Sequence, residues 1–155
     1  MEISRNEDGA FVLSQIEGHL GEFLRAIVAS ADPHDHAAAL RRLFPIPVTD
    51  PEQAQARAEW NEYVRPELAA LFNEAALVVS RDLEGMEERL VIPPSHVDAW
   101  LNTLNQARLV LAARFDIGDE EMERPITPVL ENEREIALFQ IHLYGVLQEC
   151  LVRGE

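Results

Sequence analysis

Arg108 stands inside "WLNTLNQARLVLAARF", residues 100–115, among side chains that would otherwise make an unbroken apolar face. Val97, Trp100, Leu101, Leu104, Leu111 and Phe115 recur at steps of three and four, and the same spacing puts Arg108 mid-stripe, between Leu104 and Leu111. A guanidinium keeps its charge in a protein, so burial requires a carboxylate, backbone carbonyls or water beside it. Asp82, on the apolar face of its own helix near the C-terminal end, is the first carboxylate expected to pair with it. Glu74 and Glu67, at the edge of that face, are the next. Three uses of Arg108 stay open. It is a structural ion pair or carbonyl clamp between helices, or an arginine on a protein interface, or the base of a recess. In the recess reading Arg108, with Asn105 one turn earlier and Arg114 beyond, receives an anionic group such as a carboxylate. Arg114 lies off the centre of the stripe and suits solvent equally well.

Other chemistry is thinner. "HDH", residues 34–36, sets His34 and His36 beside a carboxylate and could begin a metal site, but further ligands would have to come from unrelated elements. The plainer reading is a solvated helix start capped by Asp35, with no metal and no cofactor. A di-iron bundle needs E-x-x-H, and Phe139 stands where the glutamate before His142 should be. There is no G-x-S-x-G, and Cys150 falls within a helical apolar stripe, so no catalytic residue is expected. "GDEEMER" lacks the ligand spacing of an EF-hand and reads as a solvated acidic loop.

Composition narrows the classes. The 155 residues carry 28 acids against 13 bases, a net charge of -15, and every base is arginine. A field this negative, with only Arg41 and Arg42 adjacent, argues against nucleic-acid binding. Without lysine there is no P-loop and no Schiff base. A single cysteine allows no internal disulfide and fits a reducing compartment. No secretory start and no apolar run of membrane-spanning length is visible, so a cytoplasmic protein without membrane attachment is expected.

These residues need elements to position them. "MEISRNEDGAFVL" predicts a hairpin over 1–13, and "RLVI" near 89–92 a strand able to join it. Helices are expected over about 14–31, 35–43, 51–63, beyond Pro66 to about 83, 95–115 and 130–152. Asp50 should cap Pro51, Pro66 should break or kink the chain, and Ser95 with Asp98 should cap the Arg108 helix. Beyond Pro66, Leu68, Leu71, Phe72, Ala75 and Val79 share one side. The last helix is apolar on two sides. Ile136, Phe139, Leu143, Val146, Leu147 and Cys150 make one stripe, while Leu138, Ile141, Gly145 and Val152 make a second, with Gly145 allowing close approach. Either this helix is the centre of the bundle, the preferred reading, or its second stripe packs on a partner, a homodimer being the commonest arrangement. The expected fold is mainly α: a single-domain bundle of about five or six helices around the last two long ones, with a small antiparallel β-sheet at one edge.

The Arg108 helix also carries a resemblance. Trp100, Leu101, Leu104, Asn105, Arg108, Leu109, Leu111 and Arg114 fit a W-L-x-x-L-N-x-x-R-L-x-L-x-x-R pattern. That pattern is similar to one in an uncharacterised bacterial family, the domain of unknown function DUF2017. "RRLFP" ahead of "DP", and "LYGVLQECLV" near the C-terminus, resemble further segments of it. The resemblance implies a small cytoplasmic helical protein with no assigned activity, often encoded beside the Clp protease adaptor, hence proteolysis-linked work. Taken together, these readings favour a non-catalytic interaction or regulatory accessory protein with a protein partner. The competing class is a small-anion binding module or enzyme built on Arg108.

Overall fold

Strands β1 (Glu2–Arg5) and β2 (Phe11–Ser14) pair antiparallel with Arg5 opposite Phe11, as the alternation predicts. The Asn6 side chain closes the turn by accepting the N–H groups of Asp8 and Ala10, and Gly9 takes φ 79° there. β3 (Leu90–Ile92) joins the other edge of β2, giving the order β1-β2-β3. One face of this sheet, with Phe11, Leu13, Leu90 and Ile92, is buried in the core, while Val91 points outward. This computed structural model describes residues 1–45, 51–125 and 130–154; the expected Asp50 cap lies outside them.

The remaining elements are helical: α1 (His19–Arg25), α2 (Ile27–Ala31), α3 (Ala37–Leu43), α4 (Ala54–Glu59), α5 (Arg65–Glu84), α6 (Val97–Arg114), α7 (Asp119–Met122) and α8 (Glu133–Arg153). The fold is mainly α with a small three-stranded antiparallel sheet, as the sequence indicates. Among the described residues no helix is long and apolar enough to cross a membrane.

Several boundaries differ from expectation for identifiable reasons. The first helix starts at His19, because Gln15 and Gly18 hold φ values of 55° and 56° that no helix accepts, and it turns at Ala26. α3 is capped by His36 and not Asp35: the imidazole accepts the Ala39 N–H at 3.3 Å. Pro66 does not break its helix. A π-turn over Trp60–Val64 joins α4 to α5, and the wider loop accommodates the proline's missing N–H. Ser95 caps nothing; a 3-10 turn over Pro94–His96 leads into α6. The acidic segment after Phe115 contains α7. α8 begins at Glu133, where the Asn132 side chain accepts the Glu135 N–H at 2.9 Å.

Of the two long helices expected at the centre of the bundle, only the first holds that place. α6, not α8, is the central helix, packing against α8, α2, α5 and α3. Its buried residues are Trp100, Thr103, Leu104, Gln106, Ala107, Val110 and Leu111. α8 buries Ala137, Gln140, Ile141, Tyr144, Leu147 and Leu151, a face lying between the two expected stripes. Its polar members are satisfied. The Tyr144 hydroxyl donates to the Phe23 carbonyl at 2.8 Å, and Gln140 Nε2 donates to that hydroxyl at 3.1 Å. Burial pushes the Tyr144 phenol above its ordinary range. Gln106 likewise donates to the Ala31 carbonyl at the end of α2, at 2.7 Å. On α5, Ala75, Val79 and Leu83 are buried, whereas Leu71, expected inside, is 60% exposed.

Candidate functional site

The carboxylates expected to neutralise Arg108 are elsewhere. Asp82 does lie on the inner side of α5, but both its oxygens sit 3.0 Å from His96 Nδ1, and Oδ2 also accepts the Trp100 indole N–H at 2.8 Å. It pins α5 to the start of α6. Glu74 and Glu67 are exposed. Among the described residues no ion pair joins Arg108 to any carboxylate.

Arg108 is half-buried, on the flank of the α6 core face and not at its centre. One turn of α8 forms its seat. Nη1 donates to Gln148 Oε1 at 2.7 Å, and Gln148 Nε2 in turn donates to the Leu101 carbonyl at 3.2 Å. The guanidinium lies over Gly145, where a Cβ would come within 3.4 Å of Cζ and Nη2. Gly145 therefore does allow a close approach, but of this side chain and not of a second helix. Arg108 Nε is buried with no hydrogen-bond partner. A stranded donor of this kind costs roughly 1–3 kcal/mol, more for a charged group.

Two open clefts share Arg108. The first, of about 390 Å³, runs between α3, α6 and α7 and is lined by Arg42, Asn105, Arg108, Leu109, Asp116 and Met122 among others. The second, of about 290 Å³, lies towards α8 and is lined by Arg108, Met122, His142, Gly145, Val146 and Glu149 among others. Met122 of α7 borders both. Its helix is held by Arg134, which grips Glu121 at 2.5 and 2.6 Å and donates to the carbonyls of Phe115 and Asp116. That grip holds the Glu121 carboxyl below its usual range and raises Arg134.

His142, set aside above as a di-iron ligand, is a site residue that neither periodicity nor motif spacing singles out. Its Nε2 is buried without a partner, and burial first, then the Arg108 charge, depress its pKa. A histidine so depressed favours the fold fully above its unfolded value of about 6.5 and loses that contribution as pH falls through the folded value. Relative to His142→Asn, the wild-type melting temperature should therefore fall on acidification below about pH 6.5. Thermal unfolding of both proteins across that range checks it; a constant difference would remove the desolvated imidazole.

The other expected residues fall as follows. Asn105 is exposed and lines the first cleft; Arg114 is exposed and lines neither. Ile141 is 1% exposed and belongs to the core of the chain, while Leu138 is partly buried and packs against that core. Val152 is 72% exposed. His34 sits 3.6 Å from Asp32 at the surface, and His36 is occupied as a cap. Among the described residues no group of three metal-ligating side chains forms.

Comparisons with curated proteins and with solved structures give no significant match. The model of one family, described as a domain of unknown function (DUF2017), matches residues 3–154. The match takes in nearly the whole chain, both clefts included, and the protein therefore belongs to the DUF2017 family.

Proposed function

We propose that this protein is a non-catalytic recognition module and that the Arg108 site receives a carboxylate presented by its ligand. The supporting observation is a guanidinium seated by Gln148 and Gly145 with no carboxylate paired to it among the described residues. Arg42 and Asn105 stand in the same cleft and add a second cation and a polar side chain. Asp116 and Asp119 in its lining, and a net charge of -15, oppose a dianion and leave a planar monoanion as the fitting charge. Among the described residues nothing at the cleft pairs a nucleophile with a base, so binding is the chemistry this geometry supports.

The carboxylate can belong to a metabolite or to a protein partner. Tyr63, Leu71 and Leu77, large apolar side chains exposed on the α4–α5 helix, favour the protein source and the proteolysis-linked work that the family resemblance implies. Side-chain and backbone NMR titration with N-acetylglycine tests the shared chemistry, with N-acetylglycinamide as the uncharged control. Saturable shifts confined to Arg108 and its neighbours, lost in Arg108→Gln with the fold retained, are expected. A peptide carrying the same terminal carboxylate should bind at least about tenfold tighter if the ligand is a protein, a difference of 1.4 kcal/mol. Equal shifts with the amide, or in the variant, would overturn the assignment.

A further inference from the structure

Positions 142, 145 and 149 step by three and four along α8, so His142, Gly145 and Glu149 share one edge of that helix. The Arg108 side chain crosses that edge over Gly145, the one position where the absent Cβ leaves room for it. His142 and Arg108 thus line the same cleft, one from each helix. Each brings a buried ring or guanidine nitrogen, Nε2 and Nε, that no described group satisfies. Two stranded nitrogens on one cleft are unusual in a folded protein, where such groups are nearly always paired. Both nitrogens lie beneath the cleft surface, so an acceptor with two oxygens pairs with them once the two side chains rotate towards it.

We propose that His142 is the second binding group of the Arg108 site, its Nε2–H donating to the same carboxylate, so that the site binds more tightly as pH falls. This rests on the carboxylate reading above and adds a residue and a proton linkage to it. The bound anion offsets the Arg108 charge that His142 faces, and a protonated imidazole then gains an ionic partner. Three elements border the cleft. α6 supplies Arg108, α7 supplies the uncharged Met122 while its Glu121 is paired with Arg134 and its Asp119 lines the neighbouring cleft, and α8 supplies Glu149. Glu149 is engaged by Arg153 at 2.5 Å, which blunts its repulsion of an incoming anion.

The test is the affinity for N-acetylglycine as a function of pH, with the His142 ring followed by NMR in the same samples. Binding roughly tenfold tighter at about pH 5.5 than at about pH 8 is expected, with a His142 midpoint raised by saturating probe. His142→Asn should bind more weakly and lose the pH slope; Arg108→Gln should not bind at either pH. If the wild type binds and Arg108→Gln does not, while the His142 midpoint stays fixed under saturation, this proposal fails and the Arg108 site survives. No saturable binding by the wild type overturns both. The ring titration needs only the wild-type protein, so a poorly folded His142 variant would not blunt the result.

Discussion

Leu104→Ala is expected to lower stability by about 3 kcal/mol, and Leu71→Ala by less than about 0.5 kcal/mol. Both leucines sit on helical apolar stripes in the sequence, so hydrophobic pattern treats them alike. The structure separates them: Leu104 is fully buried on α6, against which α8, α2, α5 and α3 pack, and Leu71 is 60% exposed on α5. Removing Leu104 leaves a cavity that rigid neighbours on several sides cannot fill, which is why its cost should exceed the transfer term alone. For a chain of this size the loss corresponds to a fall of roughly 6–12 °C in Tm. Thermal and urea unfolding of the two variants decides the matter. Comparable losses from both would mean that α6 is not the central helix.

Asp82→Ala should be nearly as damaging, at about 2–3 kcal/mol. Trp100 is fully buried, and Asp82 Oδ2 is the partner of its indole N–H, so the alanine variant strands that donor inside the core. His96, whose side chain is 35% exposed, can turn to water instead, and His96→Gln should cost about 1 kcal/mol or less. Asp82→Asn keeps an acceptor for Trp100 and should fall between the two. Denaturant unfolding with intrinsic tryptophan fluorescence follows stability and the indole environment together. If Asp82→Ala proved no worse than His96→Gln, the Trp100 bond would carry none of the stability assigned to it.

Much of the architecture was legible because turn chemistry and periodicity are local. Asn6, Gly9 and the alternation around Phe11 announce the hairpin, and "RLVI" announces the strand that joins it. What pattern could not resolve is which side of an apolar helix is inner. α6 is enclosed from several directions, so Thr103 and Gln106 are buried while Leu101 is only partly so. α8 turns Gln140 and Tyr144 inward, residue types that a reading based on apolarity passes over, and its true face fell between two decoy stripes. Asp82 was correctly placed on an inner face, but its partners are a histidine and an indole 14 and 18 residues further on. Arg108 was found by being out of place. His142 offered no such signal, since its isolation depends on a packing arrangement that only three dimensions reveal.

The Phe23 carbonyl near the start of the bundle is satisfied by a hydroxyl 121 residues further along the chain, and the Ala31 carbonyl by an amide 75 residues away. Local helix formation is fast, but these closures must wait until distant segments have met, and the entropy of the intervening loops is lost before they form. The opening third of the polypeptide can therefore coil early yet stay unfinished until α8 docks. The Phe23 closure thus waits on the last long helix, although the architecture is centred on another.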